Sequence, residues 1–179
     1  MIQGIGASNS AEAERSLVDA LGAVWSAREC GECVPGGGVA ELSAAAALRM
    51  EADIRFKAYR GHAGEGGLGE LLHQSMVECL IFKAYAHALE RIPLTLASTA
   101  GLQPLHSLDK LSRAHYQRVM SAVDGSSSSS NHLLGIEAKT ASITDTGALG
   151  VWEPLAAKIS QIALATEGAV GVLRVDDIL

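Results

Sequence analysis

Four groups of residues in this chain are of types that can do chemistry. They are the pair Cys30 and Cys33, the glycines Gly36, Gly37 and Gly38 behind Pro35, the acid Asp19, and the acid Glu153. A C-x-x-C spacing can hold zinc or exchange disulfides. A structural zinc needs four ligands and so a second pair. The third cysteine, Cys79, stands alone in the middle of an apolar segment, and the six histidines (62, 73, 87, 106, 115 and 132) are scattered. A thioredoxin-type thiol follows a strand and opens a helix, whereas here a helical pattern ends into the pair. Cys30 and Cys33 read as small residues of a helix-ending turn.

The glycine triplet lies between two helical patterns, where the second begins. Free N–H groups and the helix dipole at such a point can meet a phosphate or another polar ligand atom. The chain has no G-x-x-x-x-G-K-[ST] loop, and Pro-Gly-Gly-Gly by itself is more often a plain turn. Asp19 follows Arg15 by four residues, the spacing of an ordinary exposed ion pair on one helix face. Glu153, between Trp152 and Pro154 at a helix start, reads as a capping carboxylate.

The elements that must position these residues are helices. "MIQGIGAS" reads as the end of a strand entering a turn, with Asn9 or Ser10 capping the first helix. From Ala11 the residues Leu17, Ala20, Leu21 and Val24 recur at three and four, a helical stripe, stopped by Gly31 and Pro35. A second, alanine-rich helix is expected from Val39 through Tyr59, then a loop over Arg60–Gly69. A long helix containing Leu72, Met76, Leu80 and Leu89 should stop at or just before Pro93. "LTLASTAGL" predicts a short helix closed by Gly101 in a left-handed cap, and another helix starts near Pro104. The serine run in Asp124–Asn131 predicts a mobile loop. Leu133–Asp145 alternates as a small β-hairpin, and the segment from Glu153 to Val175 predicts a final helix with Pro154 in its first turn. The fold class is mostly α with a few short β-strands.

Composition agrees. The 179 residues suit one domain or one with an appendage. The chain is 48% hydrophobic but only 4% aromatic, so the core is built from Ala, Leu, Val and Ile, which favours closely packed helices. A net charge of −6 without a basic stripe argues against nucleic-acid partners. No apolar run approaches the roughly 20 residues that span a bilayer, so no membrane partner is expected. Three cysteines and an N-terminus without a leader pattern point to the cytoplasm.

Four motifs then line up in order: "AERSLVDAL", "VPGGGVAELS", "ALERIPLTLASTAGLQPL" and "GVWEPLAAKISQIALATEGAVGVLRVDDIL". Together they resemble the C-terminal part of a group II chaperonin subunit, the family of the archaeal thermosome and the eukaryotic cytosolic t-complex chaperonin. The resemblance implies that residues 1–30 are the end of an intermediate domain. Residues 31–179 would form the C-terminal half of an equatorial, nucleotide-binding domain. It gives Asp19 the role of the carboxylate that swings over the nucleotide and positions the attacking water, with Val18 standing where the family usually has His. Gly36, Gly37 and Gly38 match the glycines that lie against the nucleotide. Glu153 takes the place of a ribose-contacting Asp, one methylene longer, and the hairpin of Leu133–Asp145 falls beside the adenine. "AERS", "TLASTAGL" and "ALATE" lean towards the delta-type subunit.

The same resemblance implies ATP and Mg²⁺ as cofactors, other chaperonin subunits in a double ring, and unfolded clients held by an apical domain. The "GDGTT"-type phosphate loop, the metal-binding Asp and the apical domain are not in this sequence, so no metal ligand is assigned here. The loops at Arg60–Gly69 and Asp124–Asn131 are expanded relative to the family. The chain is expected to contribute one wall of an ATP site and not to hydrolyse ATP alone. The alternatives are a non-catalytic, chaperonin-derived helical interaction protein, or the product of an incomplete gene model.

Overall fold

The computed structural model describes residues 7–62, 69–125 and 133–175. Helix α1 spans Ala7–Cys30, strand β1 Cys33–Pro35, α2 Val39–His62, α3 Gly69–Leu89, α4 Arg91–Thr99 and α5 Pro104–Val123. Strands β2 (Leu134–Glu137), β3 (Ser142–Asp145) and β4 (Trp152–Pro154) come next, and α6 (Leu155–Leu173) closes the described chain. The expected class, mostly α with a few short strands, is what forms. Among the described residues no helix is long and apolar enough to cross a membrane.

The chain divides into two compact units, residues 1–34 with 152–179, and residues 35–151. In the first, α1 ends where Gly31, at φ +70°, turns left-handed and donates its N–H to the Ala27 carbonyl at 2.9 Å, the αL way of closing a helix. β1 then pairs with β4, and Leu155 N–H reaches the Glu32 carbonyl at 3.1 Å. The predicted stripe on α1 is helical but uncovered: Leu17, Leu21 and Val24 are all exposed, with Val18 and Trp25 beside them. No residue of α6 is buried.

The second unit holds the core. α2 and α3 run antiparallel, as their cross-links show: Arg49 to Glu90, Lys83 to Asp53, and Arg55 to Glu78. The alanines let the two helices approach; Ala45, Ala46, Ala52 and Ala86 are buried. On α5 the buried residues Ser107, Leu111 and His115 recur every fourth position, the face a packed helix presents. Leu42 of α2, Ala97 of α4, Leu111 of α5 and Ile136 of β2 form one cluster, flanked by Leu96, Leu102, Leu108, Leu134 and Ile143. β2 and β3 pair antiparallel from Leu134 opposite Asp145 to Glu137 opposite Ser142, as the alternation predicted.

Several boundaries differ from expectation. α1 already includes Ala7–Ser10, so neither Asn9 nor Ser10 is a cap; the short polar residues extend the helix instead. The expected opening strand otherwise falls on residues 1–6, outside those described. The break before α4 lies at Glu90, not at Pro93. Pro93 is the third residue of α4, where a missing N–H costs nothing because first-turn amides have no intrahelical partner. α4 ends as predicted at Gly101, φ +82°. Leu102 N–H bonds to the Ala97 carbonyl and Gly101 N–H to the Ser98 carbonyl, the two bonds of a Schellman cap. Arg60–His62 still belong to α2; the rest of that expected loop up to Gly69, and the serine run beyond Gly125, lie outside the described residues. Pro154 precedes the first turn of α6 with extended backbone, φ −63° and ψ 131°.

Candidate functional site

The glycine triplet forms the turn between β1 and α2, and neighbours hold it on three sides. Gly36 N–H donates to the Val151 carbonyl at 2.9 Å, and the Gly37 carbonyl accepts Ile136 N–H at 2.9 Å. The Gly36 carbonyl accepts the Thr146 hydroxyl at 2.9 Å, and the Gly38 carbonyl takes Leu42 N–H, the first bond of α2. Gly37 and Gly38 have φ of +71° and +83°, where a Cβ is strained. There is also no space for one. A Cβ on Gly37 would lie 2.7 Å from the Ile136 carbonyl oxygen, and one on Gly38 would lie 2.8 Å from Pro93 Cβ. Gly135 on β2 meets the turn from the other side, its place for a Cβ 2.7 Å from Val39 Cγ2. Packing therefore demands these glycines whatever else they touch. Gly36 and Gly38 are buried and only Gly37 is half-buried, so Gly37 and the first-turn amides of α2, a 24-residue helix, are what the turn can offer an anionic or polar ligand.

Asp19 and Glu153 belong to the other unit. Asp19 is exposed on α1, beside a shallow depression it lines with Ala11, Glu14, Arg15 and Val18. The expected Arg15–Asp19 pair does not form. Arg15 instead reaches back one turn to Glu12 at 2.7 Å, leaving Asp19 without an ion pair among the described residues. Glu153 is not a cap: α6 has no side-chain hydrogen bond at its N-terminus, and Lys158 holds the Glu153 carboxylate at 2.5 Å. All three cysteines are free, Cys33 exposed and Cys79 buried, with the Cys79 thiol donating to the Ala52 carbonyl at 3.4 Å. Among the described residues no three His, Cys, Asp or Glu side chains gather in a way that could hold a metal ion.

Two polar assemblies in the second unit were not foreseen. The first lines a cleft of about 610 Å³ between α2, α3 and α5, floored by Leu42 and Ala46. Its centre is the Glu90 carboxylate, almost fully buried, which accepts Arg49 Nη2 at 2.6 Å and the Ser112 hydroxyl at 3.1 Å. Arg49 Nε is buried without a partner. Asp53 takes Lys83 at 3.3 Å and the Tyr116 hydroxyl at 3.2 Å; burial, and then that hydrogen bond, push the Tyr116 phenol up from its ordinary value. The four- and three-residue steps Arg49–Asp53, Asp109–Arg113 and Arg113–Tyr116 were the available signal, but they say nothing of which helix faces which. Removing Arg49 alone strands a buried charge. Because Arg49 itself is partly solvated, Arg49→Met should destabilise by about 2 kcal/mol in urea melts, and the double change Arg49→Met, Glu90→Met should return to within about 1 kcal/mol of the parent. A double variant no better than the single would show that the charge is not what matters. The second assembly surrounds His115, which is 2% exposed and bridges Ser43 and the Leu134 carbonyl.

Comparison with known proteins places the chain. Residues 1–179 match the TCP-1/cpn60 chaperonin family. Thermosome subunit 1 of Haloferax volcanii is 36% identical over 168 residues, which cover 94% of this chain and 24% of that protein. T-complex protein 1 subunit gamma of Mus musculus is 31% identical over all 179 residues and 27% of its own length. Among solved structures, the open-state monomer of a group II chaperonin from Methanococcoides burtonii superposes with a TM-score of 0.63 at 26% identity, covering 97% of this chain and 36% of that one. The chain spans about a quarter of the length of the curated relatives it matches. With the ordered motifs, the glycine turn seated on its hairpin and a family match along every residue, this chain belongs to the TCP-1/cpn60 chaperonin family, on its group II side.

Proposed function

We propose that this chain works as the C-terminal part of an ATP-driven group II chaperonin subunit that assists protein folding in the cytoplasm. The observation that carries this reading is the glycine turn at the start of α2, lying between the other family motifs in the family's order. In this reading residues 1–30 end an intermediate domain and residues 31–179 form half of an equatorial domain. Gly37, the accessible member of the triplet, meets the nucleotide with the first amides of α2. Gly36 and Gly38 hold the turn in shape. Asp19 orients the attacking water, a role its carboxylate supports by being exposed and without an ion pair among the described residues. Glu153 serves the ribose, and Lys158, its partner at 2.5 Å, fixes its direction. Mg²⁺ would neutralise the phosphates when bound, held by ligands that this sequence does not contain. Ring neighbours and unfolded clients are the partners. The delta-type assignment rests on "AERS", "TLASTAGL" and "ALATE" alone.

Titration calorimetry of the purified chain should give no micromolar ATP affinity and no phosphate release, since the phosphate loop is not in the sequence. Micromolar binding would contradict the half-site reading. Co-expression with the remainder of a thermosome subunit should restore hydrolysis, and Asp19→Asn should then lower kcat about 10²-fold or more with nucleotide affinity unchanged. An unchanged kcat would remove Asp19 from the mechanism.

A second reading is favoured by the bare apolar faces of α1 and α6: a chain that binds ring subunits without turnover. Capture of intact subunits that Asp19→Asn leaves unaltered, with no hydrolysis gained in the co-expressed complex, would select it.

A further inference from the structure

We infer that His115 is a positioning residue that latches the β2–β3 hairpin against α2 and so sets the glycine turn. Its value to a nucleotide rests on the proposed function, but the latch itself rests on geometry within the second unit.

The ring of His115 has one hydrogen bond at each nitrogen. Nε2 lies 2.7 Å from the Leu134 carbonyl, which can only accept, so Nε2 carries the proton. Nδ1 lies 3.1 Å from the Ser43 hydroxyl and, in the neutral ring, accepts from it. One side chain of α5 thus ties the first residue of β2 to the second turn of α2. Two residues beyond Leu134, Ile136 N–H grips the Gly37 carbonyl. Thr146, just past β3, grips the Gly36 carbonyl. The anchored hairpin leaves no room at the turn for even one more carbon: a Cβ at Gly135 would lie 2.7 Å from Val39 Cγ2, and one at Gly37 would lie 2.7 Å from the Ile136 carbonyl oxygen and 2.9 Å from Thr146 Cγ2. A hairpin that lifts from His115 must release Gly37.

The latch works with the neutral ring. Burial holds the His115 imidazole below its ordinary value, against the pull of the Leu134 carbonyl, and Arg118 on α5 adds to the lowering. Both hydrogen-bond partners of the ring, the Ser43 hydroxyl of α2 and the Leu134 carbonyl of β2, are uncharged. The docked state therefore binds a proton less readily than the released state. Docking is fully present above the ordinary histidine value and weakens as pH falls through and below it.

Amide hydrogen exchange and NMR of the full chain test this. Two buried hydrogen bonds set about a tenfold change in local opening. His115→Phe should therefore speed exchange at Ile136 about tenfold or more, leaving the amides around Leu111 slow. His115→Gln, which can donate to Leu134 and accept from Ser43, should stay within about threefold of the parent. Ser43→Ala keeps the ring and should move Ile136 the same way by less, which serves if the Phe variant fails to fold. In the parent, the protection of Ile136, corrected for intrinsic rate, should fall steadily as pH drops below the ordinary histidine value. Equal effects of Phe and Gln, or protection that stays flat as pH falls below that value, overturn the latch. Addition of ADP at millimolar concentration should shift the Gly37 amide in the parent and less in His115→Phe. No shift in the parent overturns the nucleotide reading of the turn, while the exchange results still decide the latch.

Discussion

Gly37→Ala should be among the most damaging single changes in the chain, lowering stability by about 3–4 kcal/mol. Two independent costs add. A β-carbon in the left-handed region costs about 1–2 kcal/mol, and forcing one to 2.7 Å from the Ile136 carbonyl oxygen and 2.9 Å from Thr146 Cγ2 adds about 1–3 kcal/mol of overpacking. Against a typical stability of about 5–15 kcal/mol, that is a large fraction. Two other glycines separate the costs. Gly101 has the same backbone sign, φ +82°, but open space around it, so Gly101→Ala should cost about 1 kcal/mol. Gly135 has no positive φ, but a Cβ added there would lie 2.7 Å from Val39 Cγ2, so its alanine variant should show the clash alone, about 1–3 kcal/mol. Urea midpoints should rank Gly37→Ala as the worst and Gly101→Ala as the mildest. If Gly37→Ala proved as mild as Gly101→Ala, the turn would not be clamped by the hairpin.

Leu111→Ala should cost about 3 kcal/mol. The side chain is fully buried where α2, α4, α5 and β2 meet through Leu42, Ala97 and Ile136, and truncating such a leucine removes its transfer energy and leaves a cavity. The control is on the same helix. Leu105 is 77% exposed, and Leu105→Ala should change the urea midpoint by no more than a surface substitution does, about 0.5 kcal/mol. Equal losses at the two positions would mean that α5 does not face the core through Leu111.

The legibility of the sequence tracks the range of the interactions. Local signals worked: alanine richness gave α2, recurring leucines gave α5, alternation gave the hairpin, and Gly101 marked the end of α4. Pro93 misled because a proline is as welcome in a first turn as after a last one, and nothing local distinguishes the two. At the candidate site the sequence singled out the triplet but not its clamp. Thr146 is 110 positions from Gly36, Ser43 is 72 from His115, and Glu90 is 41 from Arg49. Spacing along one helix cannot report which faces meet across such distances. The local pairings that spacing did suggest were also the weak ones. An exposed ion pair is worth little, so Arg15 is free to choose Glu12 over Asp19, while Glu153 turns from a capping role to Lys158, whose side chain is largely shielded.

Helix α6 has consequences for how the chain responds to temperature. Over its 19 residues it carries only Lys158 and Glu167 as charges, and it buries none of its side chains. Apolar attraction near room temperature is entropic and weakens on cooling. Cold therefore favours separate, dispersed molecules, and warmth drives α6 and the bare face of α1 towards whatever apolar surface is at hand. The core around Leu111 obeys the ordinary dome of protein stability and loosens on heating. Warming thus makes one unit stickier while it makes the other less firm, and the conditions that best preserve the glycine turn are also those in which the first unit is least adhesive.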